Sequence, residues 1–548
     1  MRAYCYSSGV SVELEPVLGI DLGTSNSACA VVRDGRASVV RRGDDRIVPS
    51  MVAALPDGTI IVGNRAKARR TIDPRNVVFS TKRLIGRRFS SVEVQRMRQT
   101  VPYPILEGPN EQVMIELGGR HVNVVEVSAH VLTHLRQMAE EALGRKVRKC
   151  VIAVPANFAD SQRSATRIAA RLAGLDVVRV INEPTAAALA YGYIEDTDRR
   201  IAVYDFGGGT FDVTILQIVR NVFEVLATSG EMFLGGDDID QEILEMMSES
   251  CVRRYGMDPA HNPISMERLR AVAEQIKIQL SEQPYATVAV DEVIPGRASH
   301  FEFSLTDAEL RARIEPVVRR TVPVCQDALR AAGLGPHQID EIVLVGGTTR
   351  LPLVRQVVQE VFGKPPQTAI NPMSVVAVGA AIQGAALLGL LVPMADGSVA
   401  APSTAVLLDV TPRSLGVRTV GGYTDFVIER NTPIPVEQTR LFTTTADNQE
   451  FVRIQVGQGE SEQFEHNQKL GEIVLAGLRQ APRGDVTIAV TFEINTDGLL
   501  EVRALDRDTG QQQVATMRVL GGLGEDELHQ MAQRVQQHYG AQGAIASR

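Results

Sequence analysis

Three glycine-rich segments constrain the fold and function of this chain more than any other feature. Each follows a short apolar run and carries groups that can face a phosphate. They occupy residues 17–26, 201–212 and 342–350. Glycine lets the main chain turn tightly and approach an anion with its N–H groups, and threonine hydroxyls add donors. Asp21 and Asp205 would repel phosphates unless a divalent cation lay between them. The sequence therefore predicts a nucleotide clamp with Mg²⁺ held by Asp21 and Asp205 through water.

The first two segments share one pattern of apolar strand, aspartate, glycine turn, threonine and second apolar strand, the last at 28–32 and 213–218. This repeat predicts two facing halves with the phosphates between them and the third segment closing on the nucleoside. One glycine cluster is usually a structural turn, whereas three with matched Asp and Thr positions indicate function. The sequence contains no G-x-x-x-x-G-K-[ST] run, which disfavours a P-loop enzyme.

The composition limits the classes of partner and the cellular compartment that we expect for this chain. The 548 residues correspond to about three or four average domains. A net charge of −8 gives no basic footprint for nucleic acid. The five cysteines are scattered without metal-ligand spacing, and residues 1–16 have no long apolar core, so we expect a cytoplasmic protein without a signal peptide. The apolar stretch 375–395 is rich in alanine and glycine, which favours a buried helix over a membrane span, and no membrane partner is expected.

Further motifs make the resemblance specific. They lie at 80–87 (STKRLIGR), 151–158 (VIAVPANF), 181–192 (INEPTAAALAYG) and 409–412 (DVTP). With the three glycine segments, they resemble the actin, sugar kinase and heat-shock ATPase superfamily and, within it, the heat-shock protein 70 family of DnaK type. The similarity is nearly collinear from Val17 to about Leu520.

The resemblance implies an α/β two-lobed actin-like ATPase domain with ribonuclease-H-like halves, followed by an all-β sandwich that binds peptides and a short C-terminal helix. The expected divisions are 1–16 (N-terminal extension), 17–395 (ATPase domain), 396–409 (linker), 410–520 (β sandwich) and 521–548 (helix and tail). The residues agree with this order. Period-two alternation begins after Val410, Asp497-Gly498 marks a hairpin turn, and residues 525–539 have helical spacing. This last segment is much shorter than the family's helical lid, either because the chain is naturally lidless or because its end is truncated. We expect a lid remnant near the peptide groove and fast peptide release.

Site residues in the ATPase domain follow from the same resemblance. Lys82 would stabilise charge on the γ-phosphate of ATP, Glu183 and Asp212 would orient the attacking water or accept its proton, and Asp205 and Thr210 complete the catalytic group. Phosphate contacts are assigned to Gly23, Thr24, Ser25, Asn26, Gly207, Gly208, Gly209 and Thr210, and adenosine contacts to Glu274, Lys277, Ser281, Gly346, Gly347 and Arg350.

The resemblance also implies a peptide pocket and a route between domains. The pocket would comprise Val417, Phe442, Val452, Ile454 and Ile494, with Val420 and Thr445 arching over an extended peptide, although alternation alone explains most of these positions as sandwich core. Pro155 and Arg163 match relay positions, Val406, Leu407 and Leu408 form an apolar docking linker, and Arg179, Asn182 and Asp409 match contacts of a J-domain cochaperone. The expected partners are unfolded clients, that cochaperone and a nucleotide exchange factor.

The sequence departs from the family at two further places. The turn at 217–221 (QIVRN) lacks the family's acidic residues, which predicts weak binding of a standard J-domain, and Met373 and Ser374 stand where acidic residues are common. Two alternatives stay open: a non-cycling regulatory or exchange-factor relative, and another actin-like filament or sugar-kinase protein. Intact catalytic residues argue against the first, and the β region with its apolar linker argues against the second.

Overall fold

The computed structural model describes residues 15–33, 35–192, 198–219, 222–256, 258–293, 300–367, 371–389, 392–393, 399–400, 406–510, 512–516 and 525–543. Within these ranges the chain is a mixed α/β protein with several sheets. Most of the predicted N-terminal extension, residues 394–398 and 401–405 around the predicted linker, and the turn residues Arg220 and Asn221 lie outside the described part.

The first glycine segment forms the central hairpin of a six-stranded sheet. The strands of this first unit are β1 Val17–Asp21, β2 Asn26–Arg33, β3 Arg36–Val39, β4 Val48–Pro49, β5 Val52–Ala54, β6 Ile60–Val62, β7 Val77–Val78, β8 Ile105–Glu107, β9 Val113–Leu117, β10 Arg120–Asn123, β11 Lys149–Val154 and β12 Asp176–Asn182. The sheet has the order β12-β11-β1-β2-β3, with β4 beside β2, and β1 is antiparallel to β2 but parallel to β11. The helices of the first unit are α1 Asn64–Arg69, α2 Val92–Thr100, α3 Val124–Leu143, α4 Asp160–Leu172 and α5 Glu183–Gly192.

The second glycine segment repeats this arrangement, as the sequence pattern predicts. The strands of this second unit are β13 Arg199–Phe206, β14 Phe211–Val219, β15 Val222–Glu231, β16 Tyr285–Asp291, β17 His300–Thr306 and β18 Glu341–Val345. Strand β13 is antiparallel to β14 and parallel to β18, and Asp205 lies near the end of β13 as Asp21 does in β1. The helices are α6 Gly236–Tyr255, α7 Pro263–Leu280, α8 Asp307–Arg319, α9 Thr321–Ala331, α10 Pro352–Phe362 and α11 Val375–Leu387, and the short strands β19 Val392–Pro393 and β20 Val399–Ala400 follow.

Helix α11 packs closely at the junction of the two units, and its small residues are the reason it fits. A Cβ on Gly19 of β1 would collide with the backbone of Ala381, and one on Gly379 would collide with the backbone of Ala186 in α5. The predicted buried helix is thus present but shorter than the apolar stretch, because Gly389 has a left-handed φ of 66° just after its end. Within the described residues, no helix combines the length and apolar character needed to span a bilayer.

The period-two region forms two antiparallel four-stranded sheets that share one hydrophobic core. The strands of this region are β21 Val406–Val410, β22 Leu415–Arg418, β23 Thr424–Ile428, β24 Pro433–Ile434, β25 Val436–Thr443, β26 Phe451–Gln458, β27 Gln468–Ala476, β28 Thr487–Ile494, β29 Leu500–Asp506 and β30 Gln512–Thr516. The two sheets have the strand orders β23-β22-β26-β27 and β25-β28-β29-β30. The predicted turn joins β28 to β29, and Gly498 there has a φ of 74°.

Strand β21 and the last helix are among the elements that connect this part of the chain to the first two units. Strand β21 pairs in parallel with β15 and antiparallel with β24, which joins the second six-stranded sheet to the β region. The last helix, α12 Glu525–Gly543, packs against α3 and α4. Its residues Met531 and Val535 are buried in the core of the first unit, and Arg534 forms an ion pair with Glu126 at 2.8 Å. The first unit covers the apolar stripe of α12, so the predicted lid remnant lies against that unit.

Candidate nucleotide-binding site

A cleft of about 990 Å³ lies between the two units, and all three glycine segments line it. Seventeen of the predicted residues lie in its walls: Asp21, Gly23, Thr24, Ser25, Asn26, Lys82, Glu183, Asp205, Gly207, Gly208, Thr210, Glu274, Lys277, Ser281, Gly346, Gly347 and Arg350. Met373, one of the departures from the family pattern, also lines the cleft. The structure thus brings together side chains from distant parts of the sequence.

Lys82 lies in a single 3-10 turn, Thr81–Arg83, that is entered from a left-handed Ser80. Its Nζ donates to Oε1 of Glu183, the first residue of α5, at 2.5 Å, and both side chains are buried. Burial alone would lower the pKa of Lys82, but the carboxylates of Glu183 and Asp21 raise it above its ordinary value. Lys82 therefore stays protonated and presents a fixed positive charge in the cleft.

Acidic side chains converge opposite this lysine. Burial, reinforced by the charge of Glu183, raises the pKa of Asp21 to about 7 and that of Asp205 well above its ordinary value. Such a concentration of buried carboxylates calls for a neutralising cation. Within the described part of the chain, no three acidic, histidine or cysteine side chains approach closely enough to bind a metal directly. Carboxylate oxygens are ligands that Mg²⁺ accepts, directly or through its own waters, so the residues present fit this ion.

Asp212 lies beside this acidic group, near the start of β14, and is paired in register with Asp205. Burial and then the charge of Glu183 raise its pKa to about 7, while a hydrogen bond donated by Asn157 Nδ2 opposes the rise. Asn157 was not singled out from the sequence, although it lies within the VPANF motif. The pair gives the site a buried carboxylate that exchanges a proton near neutral pH.

The second and third glycine segments are packed directly on one another. Gly346 has a φ of 85°, and a Cβ there would collide with the backbone carbonyl of Phe206. Thr348 Oγ1 donates to the carbonyl oxygen of Gly207 at 2.8 Å. Glycine is thus required at Gly346 for both its conformation and its close approach, and the contact fixes the third glycine segment against the second.

Two of the predicted adenosine residues, Glu274 and Lys277, lie on α7 and form ion pairs, and Ser281 directly follows that helix. Glu274 forms an ion pair with Lys67 at 2.8 Å, and Lys277 Nζ donates to Asp240 at 2.7 Å. Ser281 Oγ donates to the carbonyl oxygen of Lys277 at 2.9 Å. Sequence reasoning missed Lys67 and Asp240, because isolated charges on helices carry no motif.

A buried ion pair joins the two units across the same cleft. Arg70, just after α1, donates to Glu267 of α7, which is 2% exposed and also accepts from Arg270 at 2.6 Å. The Arg70 guanidinium lies 3.9 Å from the ring centre of Phe79. No motif marks these residues, so they too were missed.

One predicted relay residue, Arg163, and two predicted cochaperone contacts, Asn182 and Asp409, form a continuous chain of hydrogen bonds from the first unit to strand β21. Arg163 Nη2 donates to Asn182 Oδ1 at 2.5 Å, and Asn182 Nδ2 donates to Asp409 Oδ2 at 2.5 Å. Burial raises the pKa of Asp409. Pro155 directly follows β11, and Arg179 lines a small cavity with Leu407 and Asp409.

The predicted peptide pocket divides between core and surface. Val417, Ile454 and Ile494 are buried in the core of the β region, whereas Phe442 and Val452 are half-buried against it. The two predicted arch residues are exposed, with Val420 at 78% and Thr445 held by a hydrogen bond from its N–H to Gln449 Oε1 at 2.9 Å.

Comparisons with known proteins agree with this architecture. A family model described as "Hsp70 protein" matches residues 17–546. The "Heat shock 70 kDa protein, mitochondrial" of Pisum sativum is 42% identical over 525 residues, covering 95% of this chain and 76% of the relative. This similarity corrects one expectation: the relative is a mitochondrial protein, so the cytoplasmic location predicted from composition is overturned.

The family model spans nearly the whole chain and the relative is far above chance identity, and we conclude that this chain belongs to the Hsp70 family of ATP-dependent chaperones, which are ATPases.

Proposed function

We propose that the chain hydrolyses ATP in the cleft between its two actin-like lobes and uses the β sandwich to hold extended apolar segments of unfolded proteins. The observation that supports this most is the convergence of three glycine segments, Lys82 and the acidic group on one cleft. Residues 17–395 would form the ATPase domain and residues 410–520 the peptide-binding domain.

Asp21 and Asp205 would hold Mg²⁺ through its waters, and the bound ion would neutralise charge on the nucleotide phosphates. The backbone N–H groups of the glycine segments would hold those phosphates from two sides. Lys82 would stabilise the charge that develops on the γ-phosphate. Its existing pairing with Glu183 at 2.5 Å fixes its position before the substrate binds, which is the preorganisation that electrostatic catalysis requires.

The hydrolytic step needs a water and a proton acceptor. The water oxygen forms a bond to the γ-phosphorus, the bond from that phosphorus to the bridging oxygen breaks, and ADP keeps the electron pair. We assign the proton to Asp212 or Glu183. Asp212 suits this role because its pKa of about 7 matches the operating pH of a general base.

Hsp70 proteins in general bind unfolded clients and cochaperones, and we assign client binding to the apolar pocket around Phe442 and Val452. Main-chain hydrogen bonds would give affinity for many sequences, and the pocket would select one Leu-like or Ile-like side chain. Strand β21 and the chain of contacts from Arg163 through Asn182 to Asp409 would carry the signal between client and nucleotide.

Single-turnover ATP hydrolysis, with and without an apolar peptide, tests this assignment. The chain should cleave bound ATP, and the peptide should accelerate cleavage. Lys82→Ala should slow the step by about a hundredfold or more, as expected when a charge-stabilising group is lost. Lys146→Ala is the matched control, because that lysine is 80% exposed and should leave the rate unchanged. ATP binding without cleavage would refute the proposal and favour a non-cycling relative.

A further inference from the structure

A basic run at 145–149 (RKVRK) has no role in the proposed chemistry, although the net charge of the chain is −8. The run leads from α3 into β11, and two of its side chains, Lys146 and Arg148, line a cavity of about 540 Å³ on the first unit. Arg136 of α3 and Arg171 near the end of α4 line the same cavity. The fold thus brings four cations from three segments to one concave surface outside the nucleotide cleft.

The three arginines of this cavity carry charges that the protein itself does not pair. Within the described part of the chain, the guanidinium groups of Arg136, Arg148 and Arg171 form no hydrogen bond or ion pair. Arg167, one turn earlier on α4, differs from them because it pairs with Asp497 at 2.6 Å. Cations that surround one cavity repel one another and together attract an anion.

The carboxylates at the cavity leave this positive charge in excess. Glu140 is engaged through both oxygens, since Lys146 Nζ donates to Oε2 at 3.0 Å and the backbone N–H of Val147 donates to Oε1 at 3.2 Å. Lys146 and Glu140 therefore balance each other. Among the described residues that line the cavity, the exposed Asp176 is then the one carboxylate that faces the three arginines.

One of these arginines is held against the cavity wall. Arg136 is only partly exposed, and a Cβ built on Gly174 would lie 2.5 Å from its Nη1. Gly174 follows α4 with a left-handed φ of 76°, so both its conformation and this contact favour glycine. The guanidinium lies on the main chain there, which lowers the entropy that binding a ligand would cost.

The composition and shape of the cavity favour an acidic protein segment over other polyanions. No aromatic side chain is among the described residues that line it, so a nucleotide base finds no ring on which to stack. A flat anionic membrane would reach the exposed Arg148 but not the partly buried Arg136.

The mixed charge of the rim supports the same choice. Asp176 would repel an unbroken row of phosphates, whereas a peptide can place carboxylates opposite the arginines and an uncharged residue opposite Asp176. Arginine also pairs with a carboxylate through two parallel hydrogen bonds, which adds geometric selectivity to the electrostatic attraction.

We propose that this cavity is a docking site for a short acidic segment of a partner protein, in which Arg136, Arg148 and Arg171 bind at least two carboxylates. The site lies on α3, α4 and the run that leads into β11, apart from the nucleotide cleft and from the peptide pocket of the β region. Binding there is independent of the proposed ATP hydrolysis and client binding.

The probe is a fluorescent peptide of alternating aspartate and serine, and its binding to the full chain is measured by anisotropy. The peptide should bind, and more weakly as salt rises, whereas a peptide with asparagine in place of aspartate should not. In Arg148→Gln/Arg171→Gln the dissociation constant should rise about tenfold to a hundredfold, the range expected when two charge-assisted hydrogen bonds are lost at an exposed site.

Arg36→Gln/Arg75→Gln is the matched control for general electrostatic attraction. It removes two exposed arginines of the first unit that do not line the cavity, and it should bind the peptide like the natural chain. Val452→Phe, in the predicted peptide pocket, should also leave this binding unchanged, which separates the site from client binding. The reversal Arg148→Glu/Arg171→Glu should lose the acidic peptide and bind its counterpart with lysine in place of aspartate.

Three results would overturn the inference. The first is a natural chain that does not bind the acidic peptide. The second is equal binding by the natural chain and Arg148→Gln/Arg171→Gln. The third is tighter binding of a single-stranded oligonucleotide or of phosphatidylserine vesicles than of the peptide, with a loss of that binding in Arg148→Gln/Arg171→Gln, because the cavity would then serve a nucleic acid or a lipid surface.

Discussion

The ion pair of Arg70 and Glu267 should control how long a nucleotide stays in the cleft. Arg70 belongs to the first unit and Glu267 to the second, and both side chains are almost fully buried. Removing one partner of a buried ion pair commonly costs about 3–5 kcal/mol, because the other charge is left without compensation. In Glu267→Gln that charge is Arg70, and the protein can relieve the cost by opening the cleft so that water reaches the guanidinium.

The expected size of the effect follows from this geometry. If about 3 kcal/mol of the loss falls on the closed form alone, the closed-to-open ratio falls about a hundredfold, since 1.4 kcal/mol is tenfold. The Lys67–Glu274 ion pair at 2.8 Å should still stabilise the closed cleft in this variant. Because it is more exposed than the Arg70–Glu267 pair, it contributes at most about 1 kcal/mol. We therefore expect the release of a fluorescent ADP analogue to accelerate between tenfold and a hundredfold, measured by stopped flow.

Two variants sharpen the result. Glu141→Gln removes an exposed partner of Arg42 in the first unit and should leave ADP release unchanged. The double variant Arg70→Met/Glu267→Met replaces the pair by apolar side chains beside Phe79 and should restore slow release, because well-packed apolar residues commonly substitute for buried ion pairs. Unchanged release in a folded Glu267→Gln protein would refute the reasoning, as would a double variant that releases ADP as fast as the single one.

Three further outcomes are expected. Replacing Leu407 and Leu408 by Asp should abolish peptide-stimulated ATP hydrolysis while basal hydrolysis continues. If the peptide still stimulates hydrolysis in this variant, β21 connects the domains without transmitting the signal. Asp160 accepts a hydrogen bond from the N–H of Leu500 at 3.1 Å between the first unit and the β region, and burial raises its pKa to about 7. Because burial disfavours the ionised carboxyl more than the hydrogen bond from Leu500 favours it, docking of the two parts should weaken as the pH rises from about 4 to about 7 and level off above that; energy transfer between labelled domains should show this dependence, and Asp160→Asn should remove it. Val452→Phe should fill the peptide pocket, and fluorescence anisotropy of an apolar peptide that still binds would contradict that assignment.

The sequence predicts best what local motifs specify. The hairpin ends at Asp21 and Asp205, the Gly498 turn and the alternating strands all depend on residues close together in the chain, and the structure contains each of them. The meeting of Lys82 with Glu183, 101 positions apart, followed from family resemblance and not from any local pattern.

Contacts made only by tertiary packing escaped prediction. Arg70 and Glu267 look like ordinary charges on helix surfaces, and nothing in their neighbourhoods indicates that a second unit covers them. The same holds for α12, whose apolar stripe at Met531 and Val535 is evident from the sequence. Its partner surface on α3 and α4 exists only once the first unit has folded.

The register of strand β21 limits how the proposed signal can pass between the domains. Its first three residues pair with β15, opposite Phe223 for Leu407, and its last two pair with β24. Since neighbouring side chains on a strand point to opposite faces, a slip of one position would turn Leu407 away from the apolar core that it packs against. Partial sliding is therefore unfavourable, and we expect β21 to be either fully paired, as in this structure, or fully released. We therefore expect client and nucleotide to shift an equilibrium between these two states of β21, and not to move the strand through a continuous series of positions.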